Sequence, residues 1–153
     1  MGLEKDISQN KFRNETHKLA VNIIYTFNWL NAFNTAVLKP YKITTQQFNV
    51  LRILRGQHPN PASIKLIRER MLDKMSDASR IVEKLRIKGF IERKVCPGDR
   101  RECEVIITED GLNLLAKIDS GHDAFDNIFK TLNESEIKQL NILLDKMRGE
   151  EKF

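Results

Sequence analysis

The sequence predicts a mainly α-helical chain carrying one small β-hairpin, and three observations lead there. Apolar residues recur at three- and four-residue steps through most of the 153 residues. Residues 90–108 break that period with two short runs of strand-forming residues around a Pro-Gly turn. Capping and stop residues stand at the ends of the periodic runs. At 41% apolar content the chain has enough hydrophobic material for a core.

The first long segment, Thr16 to about Lys39, places Leu19, Ile23, Phe27, Leu30 and Val37 on one helical face, and Ala20, Ile24 and Phe33 widen it. Pro40 stops it. Thr44-Thr45-Gln46-Gln47 has the capping-box pattern, so a second helix follows with Phe48, Leu51 and Leu54 inward. It ends at Gly56-Gln57-His58-Pro59. Asn60 is then expected to cap a third helix with Pro61 at its first position, where the missing N–H costs nothing, and Ile64, Ile67 and Met71 form its apolar edge.

The stretch from Met75 to Gly89 predicts a fourth helix. At 100° per residue Ala78, Ile81, Val82 and Leu85 share one face, and Ser76, Arg80 and Glu83 the opposite one. The outer face is short, polar and rich in hydrogen-bond donors. Glu83 has Arg80 as an i,i+3 neighbour with which it could pair. Gly89 ends the helix. Residues 90–96 and 103–108 then read as two strands joined by Pro97-Gly98-Asp99-Arg100-Arg101-Glu102, a hairpin with two adjacent arginines at its tip.

The last third is helical. Thr108 with Glu109 and Asp110 is a start signal, after which Gly111, Leu115, Ile118, His122, Phe125, Phe129 and Leu132 repeat at alternating four- and three-residue steps. Asn133 with Glu136 is a second capping box, opening a helix whose seam is Ile137, Leu140, Leu144 and Met147.

Charge narrows the class of partner. The net charge of +5 divides into +5 over residues 1–60, +4 over 61–108 and −4 over 109–153. A basic front suits a polyanion, because neutralising phosphates releases condensed counterions. No apolar run approaches the roughly 18 residues that a membrane span needs, and Met1–Asp6 alternates charge where a secretory leader would be basic and then apolar. A cytoplasmic location is therefore expected. Cys96 and Cys103 are too few for a disulfide scaffold or a structural zinc site, and in a reducing compartment the pair is expected to be free. The histidines are scattered. No metal, cofactor or catalytic constellation is expected, so an enzyme reading has no residue to rest on.

The order of four helices, a hairpin and two further helices is the winged helix-turn-helix arrangement flanked by long amphipathic helices. Four runs carry a closer likeness. Ser79-Arg80-Ile81-Val82-Glu83-Lys84-Leu85, then Lys88-Gly89-Phe90-Ile91-Glu92-Arg93, then Asp99-Arg100-Arg101, then Ile107-Thr108-Glu109-Asp110-Gly111 resemble the multiple-antibiotic-resistance regulator (MarR) family. The likeness spans about residues 16–147. It implies a homodimeric, bacterial-type DNA-binding transcription regulator, a repressor released by an effector, whose recognition helix enters the major groove of a pseudo-palindromic operator. Residues 1–153 would form one domain, with 44–108 as its DNA-binding portion and 16–39 plus 109–150 as its dimerisation portion.

On that reading Ser76, Ser79 and Arg80 meet bases and phosphates. Arg100 and Arg101 at the wing meet the minor groove, and the family's Asp-x-Arg pair implies that Asp99 orients Arg101. Peroxide-sensing members carry a cysteine near the first long helix; this chain has none there. The aromatic set Phe27, Trp29, Phe33 and Phe48 either lines an effector pocket or packs the core. The rival function is a winged-helix protein-interaction module without DNA binding, since fold alone does not dictate function.

Overall fold

The computed structural model describes residues 2–94, 103–121, 125 and 127–149. Two compact units divide the chain, one ending at Ala116 and the other beginning at Lys117. In the first, a short helix α1 (Leu3–Asp6) that the apolar spacing does not announce precedes α2 (Glu15–Leu38). Asn14 caps α2 by accepting the His17 N–H at 2.8 Å. Pro40 sits in a single 3-10 turn, Lys39–Tyr41, and Lys42 turns the chain with φ 56°.

Helix α3 (Thr45–Gln57) opens with the expected capping box: Gln47 N–H donates to Thr44 Oγ1, and Thr44 N–H to Gln47 Oε1, both at 3.1 Å. The third helix differs from expectation. Asn60 closes a turn by donating its N–H to Gln57 O at 2.8 Å, and helix α4 (Ile64–Arg70) starts later, with Ser63 as its cap. The residues between are taken by a strand, β1 (Ala62–Ser63), which pairs antiparallel with β3 (Glu104–Ile107) more than forty residues away. Helix α5 (Ala78–Ile87) follows, then β2 (Ile91–Arg93) and β3. The hairpin is thus part of a three-stranded sheet in the order β1-β3-β2, with Ile91 opposite Ile107 and Arg93 opposite Val105.

The core of this unit is built from Leu38, Val50, Leu51, Leu54, Ile64, Ile67, Met71, Val82, Leu85, Ile91 and Val105, all essentially inaccessible. Each large apolar side chain so buried contributes about 1.5–3 kcal/mol. Helix α3 is central, packing against α2, α4, α5 and β3. That packing fixes α5 by its inner face and leaves its outer face to solvent.

Helix α6 (Glu109–Asp119) starts after Thr108, as expected. The heptad-like spacing that runs on to Leu132 does not make one helix, because the chain turns at Ser120-Gly121, where Ser120 Oγ donates to Lys117 O at 2.7 Å. Its seam position His122 lies outside the described residues. In the second unit α7 (Glu134–Arg148) begins with the Asn133–Glu136 capping box and buries none of its residues.

Candidate nucleic-acid interface

The outward face of α5 is the site the fold presents. Asp77 caps the helix, its carboxylate accepting the Arg80 N–H at 3.0 Å, a residue the sequence reading passed over although Asp at this position is a cap signal. Ala78, Val82 and Leu85 are buried, while Ser79, Arg80, Lys84 and Ile87 are exposed. The inward and outward faces fall as the 100° spacing predicts, with Ile81 half-buried at their border.

Glu83 does not take Arg80 as its partner. It forms a two-pronged ion pair with Arg86, one turn further on, at 2.8 Å to Nη2 and 3.1 Å to Nε. That guanidinium, through its hydrogen bonds and then its charge, holds the Glu83 carboxyl below its ordinary range. The choice follows from geometry: the same i,i+3 reach serves both arginines, and the planar fork of Arg86 meets both carboxylate oxygens. The exposed Arg80 side chain makes no hydrogen bond or ion pair with any described residue.

Ser76 precedes the helix, and its hydroxyl donates to Asp73 Oδ2 at 2.7 Å. Asp73 also accepts the Met75 N–H at 3.0 Å through Oδ1. The hydroxyl of Ser76 and the amide of Met75, with a further bond from Gln46, hold the Asp73 carboxyl below its ordinary value. At the other end of α5 the Lys88 ammonium donates to Lys42 O at 2.5 Å and Gln47 Oε1 at 3.2 Å, tying the end of α5 to the start of α3. A shallow hollow of about 340 Å³ lies between these helices, lined by Thr44, Gln47, Ser76, Arg80 and Lys84 together with Asp77, whose carboxylate is engaged by the Arg80 N–H. It brings two cationic side chains together beside the α3 cap, an arrangement suited to an anion such as a backbone phosphate.

The wing residues Asp99, Arg100 and Arg101, with Cys96, lie outside the described residues. Cys103 is buried at the foot of β3. Of the four aromatic residues expected at an effector pocket, Phe27 alone lines the larger cleft of about 550 Å³, together with Asn31, Asn34, Asn49, Met71 and Leu72. Trp29 is exposed, Phe33 is half-buried, and Phe48 is half-buried with the Arg52 guanidinium 5.7 Å from its ring centre. The sequence reading missed the asparagines of this cleft: Asn31 and Asn34 interrupt the apolar stripe of α2, and Asn49 falls on the polar side of α3. Among the described residues no group of His, Cys, Asp and Glu could hold a metal ion, and no helix is long and apolar enough to cross a membrane.

Comparison with known proteins decides the family. Residues 41–102 match the MarR family model. The chain is 31% identical over 113 residues to the multiple antibiotic resistance protein MarR of Salmonella typhimurium, covering 72% of this chain and 76% of that one. The chain belongs to the MarR family. A second member, the transcriptional regulator MhqR of Bacillus subtilis, is 26% identical over 131 residues, 85% of this chain and 89% of its own length. Among solved structures, a cysteine-to-serine mutant of Escherichia coli MarR complexed with operator DNA has a TM-score of 0.72 at 25% identity, covering 90% of this chain and 99% of that one. As a MarR-family protein the chain is a DNA-binding transcription regulator and not an enzyme. Its fold is the winged helix-turn-helix of that family.

Proposed function

We propose that this MarR-family chain represses transcription in the cytoplasm by occupying a pseudo-palindromic operator as a homodimer. Ser79 and Arg80 read base edges in the major groove, and Lys84 meets a phosphate. Arg100 and Arg101 reach the adjacent minor groove, with Asp99 orienting Arg101. The observation that carries this reading is the outer face of α5, where Arg80 keeps every donor available while the inner face is locked into the core. Arginine in that state can donate two parallel bonds to guanine O6 and N7.

In this proposal residues 44–108 bind DNA, and residues 16–39 with 109–150 bind the second copy. Support comes from the apolar surface both segments leave in water: Ile24 and Tyr25 on α2, Ile142 and Leu143 on α7. A two-fold pairing of such surfaces aligns two recognition helices on two half-sites about one helical turn apart. An effector occupies the cleft beside Phe27 and lowers operator affinity. The test is selection from random duplex by the full chain, followed by titration of the selected site at several salt concentrations. A symmetric site bound far more tightly than random duplex supports the reading. Binding with no sequence preference at any salt concentration overturns it.

A further inference from the structure

Between buried Met71 and buried Ala78 the chain crosses six residues, Leu72–Asp77, whose two apolar side chains are left in water: Leu72 is 86% and Met75 is 93% exposed. The shape of this turn decides where α5 begins and which way its outer face looks. Hydrogen bonds define that shape. Leu72 N–H donates to Asn49 Oδ1 at 3.0 Å, bridging 23 residues back to α3. The Asp73 carboxylate spans the rest, taking the Met75 amide on one oxygen and the Ser76 hydroxyl on the other. One residue later Asp77 caps the helix.

We propose that Asn49 and Asp73 are positioning residues for operator recognition, clamping the turn before α5 so that Ser79 and Arg80 face the groove. The inference rests on the reading of α5 as the recognition helix and assigns Ser76 a new part in it. A serine hydroxyl has one proton to donate. In Ser76 that proton goes to Asp73, so Ser76 acts through the turn and not as a donor to DNA. Asp73 itself is a carboxylate beside a polyanion; its place there is costly for binding unless it serves the geometry.

The charge gives the experiment its discrimination. Removing a carboxylate near DNA tightens all binding if charge is its whole role, and a loss of fold weakens all binding. A lost clamp weakens the specific complex alone. The full-length chain is titrated with its selected operator and with random duplex at one salt concentration, and thermal unfolding is followed in parallel. Asp73→Ala is expected to lose about five- to tenfold in operator affinity, the worth of one or two hydrogen bonds, while random-duplex affinity stays equal or rises. Asn49→Leu is expected to lose similarly, and Asn49→Asp, which keeps the accepting oxygen, to retain most of the operator affinity. Ser76→Ala should cost nothing further once Asp73 is alanine.

Operator affinity unchanged in Asp73→Ala, parallel loss on operator and random duplex, or a Ser76→Ala effect that adds in full to that of Asp73→Ala each overturns the proposal. Arg80→Ala separates it from the reading beneath. If Arg80→Ala leaves operator binding intact, α5 is not the reader. If Arg80→Ala weakens binding and Asp73→Ala does not, the clamp alone is wrong.

Discussion

Thr108 donates its hydroxyl to the carbonyl of Gly89 at 2.7 Å, and so joins the end of α5 to the start of α6. The same oxygen accepts the Gly111 N–H at 3.2 Å, and the Thr108 amide donates to Phe90 O at 3.0 Å. Gly89 sits at φ 78°, the left-handed conformation that ends α5 and is favourable for glycine. One threonine thus caps α6 and fixes the exit of α5. Thr108→Val keeps the shape and removes both hydroxyl bonds, and it is expected to cost about 1–2 kcal/mol. Thr108→Ser should recover most of that loss. Urea unfolding of the three proteins checks it; equal midpoints for Thr108→Val and the parent would refute it.

Gly111 is required by space and not by backbone conformation. A Cβ there would collide with the Phe90 carbonyl oxygen and come within 2.7 Å of Ile107 Cγ1. Ile107 is held by the sheet and the Phe90 carbonyl by the Thr108 amide, so neither yields cheaply. Gly111→Ala, which by helix propensity alone would stabilise α6, is expected to destabilise the fold by about 1–3 kcal/mol. Denaturation of the variant decides between propensity and packing. A gain in stability would show that α6 shifts freely away from the hairpin.

How far the sequence could be read depends on how local each cause is. Thr44 with Gln47, and Asn133 with Glu136, act within four residues, and both capping boxes form as their spacing predicts. The faces of α5 were equally legible because burial follows the helical period. Asn60 is as good a capping residue as Ser63. What moves the start of α4 to Ile64 is the pairing of Ala62 with Val105, a relation no window along the chain contains. The choice of Arg86 over Arg80 by Glu83 depends on side-chain placement, and Asn31 and Asn34 break the apolar stripe of α2 without telling what lies opposite them.

The Glu4–Lys18 ion pair ties α1 to α2 and has a defined pH window. Its hydrogen bond with Lys18 is the main cause that lowers the Glu4 pKa from 4.5, and the same bond raises that of Lys18 from 10.5. The carboxylate's contribution is complete above 4.5 and disappears as pH falls through the lowered folded value. The ammonium's contribution is complete below 10.5 and disappears as pH rises through the raised one. The difference in thermal midpoint between the parent and Lys18→Met is therefore expected to be flat from about pH 6 to 9 and to shrink in acid. A difference that grew in acid would contradict the assignment.

Dimerisation should be separable from folding. Ile142 is 66% and Leu143 52% exposed on α7, a helix with no buried residue of its own. If α7 pairs with the second copy as proposed, a charge placed there repels that copy. Leu143→Glu is expected to turn a dimer into a monomer by light scattering at micromolar concentration and to lose cooperative operator binding, with the circular dichroism of the helices retained. A parent chain that is monomeric under these conditions would remove the two-fold operator from the model.

The wing and the recognition helix should fail in different ways. Arg80 projects from α5 with its donors available, so in the major groove it can distinguish guanine from the other bases. In the proposed reading Arg101 belongs to the wing, and the minor groove offers it chiefly width and the contrast of A·T with G·C. Arg80→Ala is accordingly expected to cost about 1–3 kcal/mol on the best operator and to relax preference at one symmetric position of each half-site. Arg101→Ala should lower affinity on every operator while leaving that preference in place, and Asp99→Ala should follow Arg101→Ala at smaller magnitude. Binding of each variant to a library of operator variants at fixed salt reads both quantities at once. If Arg80→Ala weakens all sequences equally, Arg80 is a phosphate contact. If Arg101→Ala binds as tightly as the parent, the wing does not reach DNA.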